Sequence, residues 1–394
     1  MGTGGVGLGE PMNIREYNRD ECTGCTACYA VCKREAISML PDAEGFLQPV
    51  IDDKKCVQCG LCAMVCPLAR EFPRDEKALC FAYKHPCHDI LMASTSGGAF
   101  SLIAQSVFDK GGCVFGVVMS PDLSAVHAKA ENAEQLSAMR GSKYVQSDMG
   151  NSLRECREEL DRGREVLFSG TSCQIAGLKS FLGRDYDNLT TVDLICHGVP
   201  SPGVFAQYKR EEESRERKKI ARISFRHKNV ERRFALSLEF SNDSAYSHVK
   251  YDRTFFDAFI NDLCLRRSCH VCHFRDGRSG SDFTIADFWQ VEGCGIGMEY
   301  GEDGCSLVIA HTDKAKTFMR GFDAVPFDRA LRGNPSYFEM SPLTNRRARF
   351  FKLVSRMSVQ AATERILQGG GGLCRYVKGV LRRSKHMLMK VCGK

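Results

Sequence analysis

Cys22-Thr-Gly-Cys25-Thr-Ala-Cys28-Tyr-Ala-Val-Cys32 is followed in this chain by a second run of the same spacing, Cys56-Val-Gln-Cys59-Gly-Leu-Cys62-Ala-Met-Val-Cys66-Pro67. Every cysteine of the first run recurs 34 residues later in the second. Three thiolates at this spacing surround one corner of an iron–sulfur cube, and the fourth cysteine ligates the other cluster. The runs therefore predict two [4Fe–4S] clusters, one held by Cys22, Cys25, Cys28 and Cys66, the other by Cys56, Cys59, Cys62 and Cys32.

Two other uses of these cysteines fit the spacing poorly. A zinc site takes four ligands, usually as two separated pairs, and would leave cysteines over in each run. A disulfide framework is typical of short secreted chains, whereas this chain has 394 residues.

The residues between the runs predict two short strands, Ile37–Met39 and Leu47–Ile51, around a turn at Pro41–Gly45. Residues 13–72 thus resemble a bacterial two-cluster ferredoxin, although Lys33 stands where a proline usually follows the fourth cysteine. Such a module transfers single electrons and has no chemistry of its own. We therefore expect its redox partner in the rest of the chain.

Composition and charge limit the expected location and partners of the protein. Hydrophobic residues make up 43% of the chain, which allows sizeable cores, and no apolar run is long enough to span a membrane. With no signal-peptide pattern and 21 cysteines, we expect a reducing, cytoplasmic setting. The net charge is +7, but residues 346–394 alone carry +12, from 13 Lys and Arg against Glu364, so the remainder is net acidic at −5. The net-acidic core and the absence of a recognisable binding motif argue against a nucleic-acid partner.

The remainder of the chain predicts an α/β (mixed α+β) core over residues 78–340, because strands and helices alternate. Buried strands are predicted at Cys113–Met119, Val166–Ser169 and Leu189–Ile195, and each is near a glycine- or cysteine-containing turn. We predict helices after Gly98 and after Ser172. Residues 346–394 are predicted to be a basic helical tail.

Several turns of this core have residues suited to a cofactor. The turns at Gly170-Thr171-Ser172-Cys173 and Cys196-His197-Gly198 fall where the carboxyl edge of a sheet meets a helix, and their open amides suit a pyrophosphate or a ring carbonyl. Gly97-Gly98 offers the same kind of amides. Arg140-Gly141-Ser142-Lys143-Tyr144 combines cations with an aromatic ring, and a cation near N1 of a flavin stabilises the reduced anion. Ordinary turns and caps explain each motif equally well.

A third group of cysteines is spread over three segments: Cys173, Cys196, and the pair Cys269 and Cys272. These four residues are consistent with a third iron–sulfur cluster. A zinc knuckle with His270 or His273, a redox dithiol, and unligated thiols remain alternatives.

Residues 94–312 resemble the family of coenzyme F₄₂₀ hydrogenase/dehydrogenase beta subunits. The segments that carry the resemblance are Ser96–Ser101, Arg140–Ser147, Gly170–Gln174, Asp193–Pro202, Arg267–Cys272 and Asp282–Trp289. Within this family, 7-hydroxymethyl chlorophyll a reductase is similar and takes electrons from ferredoxin. Ser172 and Gln290 depart from the family pattern, where proline and glycine are common.

The resemblance implies an FAD-dependent iron–sulfur oxidoreductase that passes electrons from ferredoxin or another carrier protein through its clusters and FAD to a small organic acceptor such as coenzyme F₄₂₀. It implies that Cys173, Cys196, Cys269 and Cys272 hold the core cluster. It also implies that FAD is bound by Ser96, Gly97, Gly98, Arg140, Gly141, Ser142, Lys143, Tyr144, Gly170 and Thr171. His197 and Asp287 are candidates for proton handling, with structural roles as the alternative. The rival hypothesis is a non-catalytic electron-transfer subunit of a larger hydrogenase or dehydrogenase complex.

The end of the chain predicts a tethered amphipathic helix. Four consecutive glycines, Gly369–Gly372, are followed by apolar residues at helical spacing between Tyr376 and Val391, with Lys and Arg mostly on the other faces. A basic amphipathic helix suits the inner face of an anionic membrane or an acidic partner protein. Packing of this helix onto its own core is the alternative.

Overall fold

The computed structural model describes residues 13–74, 76–228, 234–241 and 248–368, in which thirteen strands form three sheets. The strands are β1 Ile37–Pro41, β2 Leu47–Ile51, β3 Leu79–Tyr83, β4 Cys113–Met119, β5 Ala125–Ala130, β6 Val166–Ser169, β7 Leu189–Leu194, β8 Lys219–Ser224, β9 Leu236–Ser241, β10 His248–Asp252, β11 Phe283–Asp287, β12 Ser306–Ala310 and β13 Ala324–Val325. The α-helices are α1 Ala27–Val31, α2 Leu61–Met64, α3 His88–Ala93, α4 Ala99–Phe108, α5 Ala133–Ser137, α6 Ser152–Asp161, α7 Ser172–Leu182, α8 Pro202–Glu216, α9 Thr254–Ile260, α10 Asp313–Phe318, α11 Phe327–Ala330, α12 Asn345–Val354 and α13 Val359–Gln368.

The N-terminal module contains the predicted hairpin, with β1 and β2 antiparallel and Ile37 opposite Ile51. Its two cysteine runs share backbone conformation as well as spacing. Gly24 and Gln58, which are equivalent in the two runs, both have positive φ, and so do the equivalent residues Thr26 and Gly60. Non-glycine residues rarely adopt this left-handed conformation. Because the conformation recurs at positions 34 residues apart, the two cysteine loops have the same local backbone fold.

The large sheet has the order β13-β3-β12-β11-β7-β6-β4-β5. Its four central strands, β11, β7, β6 and β4, are parallel, while the outer strands pair antiparallel. The apolar residues of β6 are buried on both faces between helices, as expected for a central parallel strand. The prediction of a mixed α/β fold is confirmed. Because the carboxyl ends of parallel strands meet at one edge, the turns after β6, β7 and β11 all lie at that edge.

Helix α7 begins at that edge and joins the two modules. Thr171 is its N-cap, and the side chain of Gln174 completes a capping box by accepting the Thr171 N–H at 2.9 Å. One turn into the helix, Gly177 faces α1. A Cβ at Gly177 would lie 2.7 Å from Cβ of Cys25 and 2.8 Å from its Sγ. The absence of a side chain there allows the core to approach a cluster-binding loop.

The C-terminal helices pack onto the core rather than project from it. Phe350 of α12 and Ile366 of α13 are buried in one hydrophobic cluster together with aromatic residues of α8 and α9. Arg347 donates to both carboxylate oxygens of Glu44 in the hairpin turn, so α12 also contacts the N-terminal module. The predicted amphipathic helix beyond Gly372 lies outside the described residues. Among the described helices, none is both long and apolar enough to cross a membrane.

We expect Gly177→Ala to separate α7 from α1, because the added methyl group has no space beside Cys25. Overpacking of this kind costs about 1–3 kcal/mol of stability. Anaerobically purified Gly177→Ala should release iron to a chelator faster than the wild type. Gly293→Ala is the matched control, since a Cβ there meets no atom within 4 Å. Equal release rates for both variants would contradict the proposed close contact.

Candidate functional site

Four of the eight N-terminal cysteines lie together in the structure. Cys22, Cys25, Cys28 and Cys66, hereafter the inner set, line one cavity, although Cys66 comes from the second run. Cys32, Cys56, Cys59 and Cys62, the predicted ligands of the other cluster, are hereafter the outer set. Cys32, Cys56 and Cys62 pack against Ile37 and Ile51 of the hairpin, and Cys59 is exposed.

The structure brings Cys173, Cys196, Cys269 and Cys272, hereafter the core set, to one cavity. Cys173 lies in the first turn of α7, and Cys196 follows the carboxyl end of β7. Cys269 lies in the 3₁₀ helix Arg267–Val271, which Cys272 ends. The Val199 N–H donates to Sγ of Cys269 at 3.4 Å. Four cysteines from three separated segments thus line one cavity at the carboxyl edge of the sheet.

Burial of the core set favours a bound metal group over free reactive thiols. Desolvation raises the pKa of Cys196 and of Cys269 to about 12, and it raises the pKa of Cys173 as well. Thiols with such pKa values are protonated and poorly nucleophilic near neutral pH. A metal ligand must be a thiolate, so a positively charged centre is needed to stabilise the ionised form in this cavity.

Geometry also bears on which metal group would fit. Among the described residues, no three His, Cys, Asp or Glu side chains converge closely enough to hold a single metal ion. A tetrahedral zinc ion requires such convergence, since its ligand sulfurs lie about 2.3 Å from the ion. A cube of four irons separates its thiolates more widely because each sulfur binds a different iron. A third iron–sulfur cluster, a zinc site and a redox dithiol remain the alternatives for the core set.

The cavities of the inner and core sets are neighbours. Thr23 lines both of them, and Gly177 carries the helix of Cys173 against Cys25. The Cys25 sulfur, when ionised, lies close enough to raise the pKa of the Cys173 thiol, although burial is the larger cause. Metal groups held by these two sets would therefore lie in adjacent cavities, both lined by Thr23.

Arg266 fills the space between the two modules. Its guanidinium donates to the carbonyl oxygen of Cys22 at 2.7 Å, to that of Leu47 at 3.0 Å and to Oε1 of Gln146 at 2.9 Å. Arg266 is buried and also lines the core-set cavity. Its positive charge lowers the thiol pKa of Cys25 and of Cys269 against the larger effect of burial. One cation therefore stabilises thiolates of both sets.

A buried hydrogen-bond relay supports the turn that carries Cys173. His127 Nε2 lies 3.1 Å from the carbonyl oxygen of Ser169, and its Nδ1 lies 3.1 Å from Oγ of Ser147. Ser147 Oγ accepts from Nε2 of Gln174, whose Oε1 accepts the Thr171 N–H. Desolvation lowers the pKa of His127 to about 4, so the ring is neutral and Nε2 carries its proton toward the carbonyl.

The structure places the predicted FAD residues in two groups. The turn Ser96–Gly98 and the loop at Arg140 lie together, because the Ser142 N–H donates to Oγ1 of Thr95 and Nε of Arg140 donates to Oγ of Ser101. Gly170 and Thr171 instead lie at the core set, where Oγ1 of Thr171 is 3.2 Å from Sγ of Cys173.

Contacts within the protein itself explain why several of these residues are needed at their positions. A Cβ at Gly97 would overlap the carbonyl oxygen of Tyr83 in β3, so glycine is required there whatever the ligand. Lys143 donates to the carbonyl oxygens of Ala138, Met139 and Arg140 at 2.9–3.0 Å, and it therefore caps the end of α5. Burial lowers its pKa to about 7. Gly141 differs, since it has positive φ and no atom lies within 4 Å of an added Cβ.

The two residues predicted for proton handling both have partners. His197 Nε2 lies 2.7 Å from Oδ1 of Asp262, and its carbonyl oxygen accepts from Arg275. Asp287, at the end of β11, accepts from the hydroxyl of Tyr300 at 2.7 Å and from Nη1 of Arg226 at 3.3 Å.

Sequence reasoning missed Arg226. Its side chain is 5% exposed, lies over the rings of Phe234 and Trp289, and donates to the Tyr144 hydroxyl at 3.0 Å. Its Nε has no hydrogen-bond partner among the described residues. The carboxylate of Asp287 and the ring of Tyr144, both singled out in the sequence, meet at this cation. Arg226 lies two residues after the end of β8 and belongs to none of the motifs singled out in the sequence.

Comparisons with known proteins agree with the two modules. Residues 21–69 match the 4Fe-4S dicluster domain, and residues 163–324 match the family described as the C terminus of the beta subunit of coenzyme F420 hydrogenase/dehydrogenase. These matches confirm the resemblance to that family and the iron–sulfur character of the N-terminal module. The second match contains all four residues of the core set.

One curated relative is a subunit of the F(420)H(2) dehydrogenase of Methanosarcina mazei, which is 26% identical over 174 residues. That stretch covers 42% of this chain and 49% of the relative, so the chain matches about half the length of this protein. Among solved structures, a chain of the xenon-derivatised F420-reducing [NiFe] hydrogenase complex from Methanosarcina barkeri is 16% identical with a TM-score of 0.41, over 76% of this chain and 93% of that chain.

We expect Arg266→Gln to weaken the contact between the modules, because it leaves the buried carbonyl oxygens of Cys22 and Leu47 without donors. Each unsatisfied buried group costs about 1–3 kcal/mol. The variant should lose iron to a chelator at a lower urea concentration than the wild type. Arg332→Gln is the control, since the side chain of Arg332 is 65% exposed and pairs with Asp328 of its own segment. If the two variants resist urea alike, Arg266 does not join the modules.

Proposed function

We propose that this chain is an iron–sulfur flavoprotein that carries electrons from a protein donor through three clusters to FAD and a small organic acceptor. The observation that carries the proposal is the adjacency of two cysteine cavities, the inner set and the core set, which share Thr23. A dicluster module against a third set of four partly buried cysteines would give a continuous series of one-electron sites that ends in the core.

The order of these sites follows from their positions in the fold. The outer set includes the exposed Cys59, the inner set lies against the core, and the core set lies at the carboxyl edge of the large sheet. Bound clusters carry single electrons, and a bound flavin collects two and can release them as a hydride equivalent. Arg266 favours the thiolates on either side of the contact between modules, and His127 fixes the turn that presents Cys173.

We place the flavin at the carboxyl edge, beside the turn Ser96–Gly98 and the loop at Gly141. The residues present there fit such a group, because Arg226 has an unpartnered, buried Nε and aromatic rings on its faces. Arg226 replaces Lys143 in this role, since the ammonium group of Lys143 donates to three carbonyl oxygens of its own segment. Asp287 remains the proposed proton-handling group, and His197 would orient the loop of Cys196 through Asp262.

The relatives suggest coenzyme F₄₂₀ as one acceptor, because the name of the curated relative and the description of the matching family both refer to it. The competing proposal is a wiring subunit that transfers electrons within a larger hydrogenase or dehydrogenase complex without turning over an acceptor itself. Purified protein with reduced ferredoxin distinguishes the two, since only an enzyme reduces the acceptor without further subunits.

The iron content tests the third cluster. Fully reconstituted protein should contain about twelve irons per chain, from three [4Fe–4S] clusters. Cys269→Ser with Cys272→Ser removes two core-set ligands and should lower the content to about eight, because the N-terminal clusters keep all their ligands. Cys80→Ser with Cys294→Ser is the control, since neither of these thiols lines the inner-set or the core-set cavity. About eight irons in the intact protein would exclude the third cluster.

Flavin binding tests the role of Arg226. We expect Arg226→Gln to lower the flavin content per chain and to make the flavin potential more negative, because a cation near the ring stabilises the reduced anion. The iron content should stay unchanged. Arg226→Lys should restore part of the potential, whereas Lys143→Ala should leave it as in the wild type. Unaltered flavin content and potential in Arg226→Gln would move the flavin elsewhere.

A further inference from the structure

The outer set differs from the other cysteines in its access to solvent. Of the twelve predicted cluster ligands, Cys59 alone is exposed. Exposed apolar residues are close to it in the sequence: Val57 is 58% exposed, Met64 is 63% exposed and Leu61 is 37% exposed. These residues lie within two positions of a cluster ligand in the sequence, so they border the cluster edge. A surface of this kind allows close approach by another protein.

Cations surround this apolar patch. Lys33 and Arg34 follow Cys32, and Lys54 and Lys55 precede Cys56; all four are exposed, and none forms an ion pair among the described residues. Three carboxylates share the face, but Asp53 is paired with Arg15 at 2.7 Å, and Asp52 accepts the Lys54 N–H at 2.9 Å. Glu35 is the third. The face is thus net positive, whereas residues 1–345 together carry −5.

We propose that this face, made of Val57, Cys59, Leu61 and Met64 with the four surrounding cations, is the docking surface for an acidic one-electron carrier protein. In the complex, the reduced carrier loses one electron and the outer cluster gains it, with no bond formed or broken. Opposite charges on the two proteins would steer the encounter, and the apolar patch would bring the two cluster edges together.

The observations favour this occupant over two others. A second copy of this chain would place positive face against positive face, which like-charge repulsion opposes. A membrane would cover the thiolate edge and block electron transfer into it. An acidic carrier satisfies both the charge and the need for an exposed cluster edge. The inference depends on the N-terminal dicluster module and uses the proposed function only for the direction of electron flow.

The test is the rate at which a reduced, acidic two-[4Fe–4S] ferredoxin transfers electrons to the anaerobic protein in stopped-flow absorbance. Lys54→Glu with Lys55→Glu should lower the second-order rate constant at least about tenfold at low salt, because steering becomes repulsion. The difference from wild type should shrink as salt rises, since screening weakens surface charges. Met64→Gln should lower the rate at high salt too, because it acts on the apolar contact.

Controls separate docking from damage to the cluster. Iron content and the rate of reduction by dithionite should be unchanged in each variant. Lys110→Glu with Arg320→Glu reverses two exposed cations on the core and should leave the ferredoxin rate unchanged. Equal rates for Lys54→Glu with Lys55→Glu and for the wild type at low salt would overturn the proposal. So would loss of anionic-liposome binding or of self-association in that variant without a change in rate.

This test is independent of the third cluster and the flavin. If the third cluster or the flavin is absent, the measured iron or flavin content is lower than the proposed function requires. The rate at which ferredoxin reduces the N-terminal clusters still depends on the charges of Lys54 and Lys55. A failure of the docking surface therefore leaves the proposed function standing, and the reverse also holds.

Discussion

The buried guanidinium of Arg266 is the contact on which the arrangement of both modules depends. It binds the carbonyl oxygens of Cys22 and Leu47 in the N-terminal module and the side chain of Gln146 in the core. Its positive charge lowers the thiol pKa of Cys25 and of Cys269, which burial raises more strongly. The same residue thus joins the two modules and favours thiolates in both sets.

Close backbone approach is the second condition. Gly177 lets α7 lie against Cys25, and Gly97 lets the start of α4 lie against β3 and β12. In both places a methyl group would overlap neighbouring atoms. Helix α7 begins at the carboxyl edge of the sheet, where the core set lies, and it has no side chain at Gly177, where it meets the N-terminal module. For these two reasons the cavity of the core set lies next to the inner set.

Part of the candidate site was accessible from sequence motifs, and some residues of those motifs also have structural roles. The resemblance to the family implies that Gly97 and Lys143 bind FAD. In the structure, packing against Tyr83 explains Gly97 and capping of α5 explains Lys143. Arg226 was missed, because an arginine after a strand has no local pattern that distinguishes it from a surface residue. Arg226 contacts Tyr144 and Asp287, which are 82 and 61 residues away from it in the chain.

The sequence by itself predicted the ligands of the N-terminal clusters, and it determined the hairpin between the two cysteine runs and the alternating order of the α/β core. These features depend on local spacing and on hydrophobic periodicity, which a chain carries in consecutive residues. Only the tertiary structure decided that the core set forms one cavity, that this cavity adjoins the inner set, and that Cys59 is exposed. Those relations depend on how β6, β7 and the 3₁₀ helix Arg267–Val271 pack together. Contacts between segments distant in sequence leave no periodic trace in any one of them.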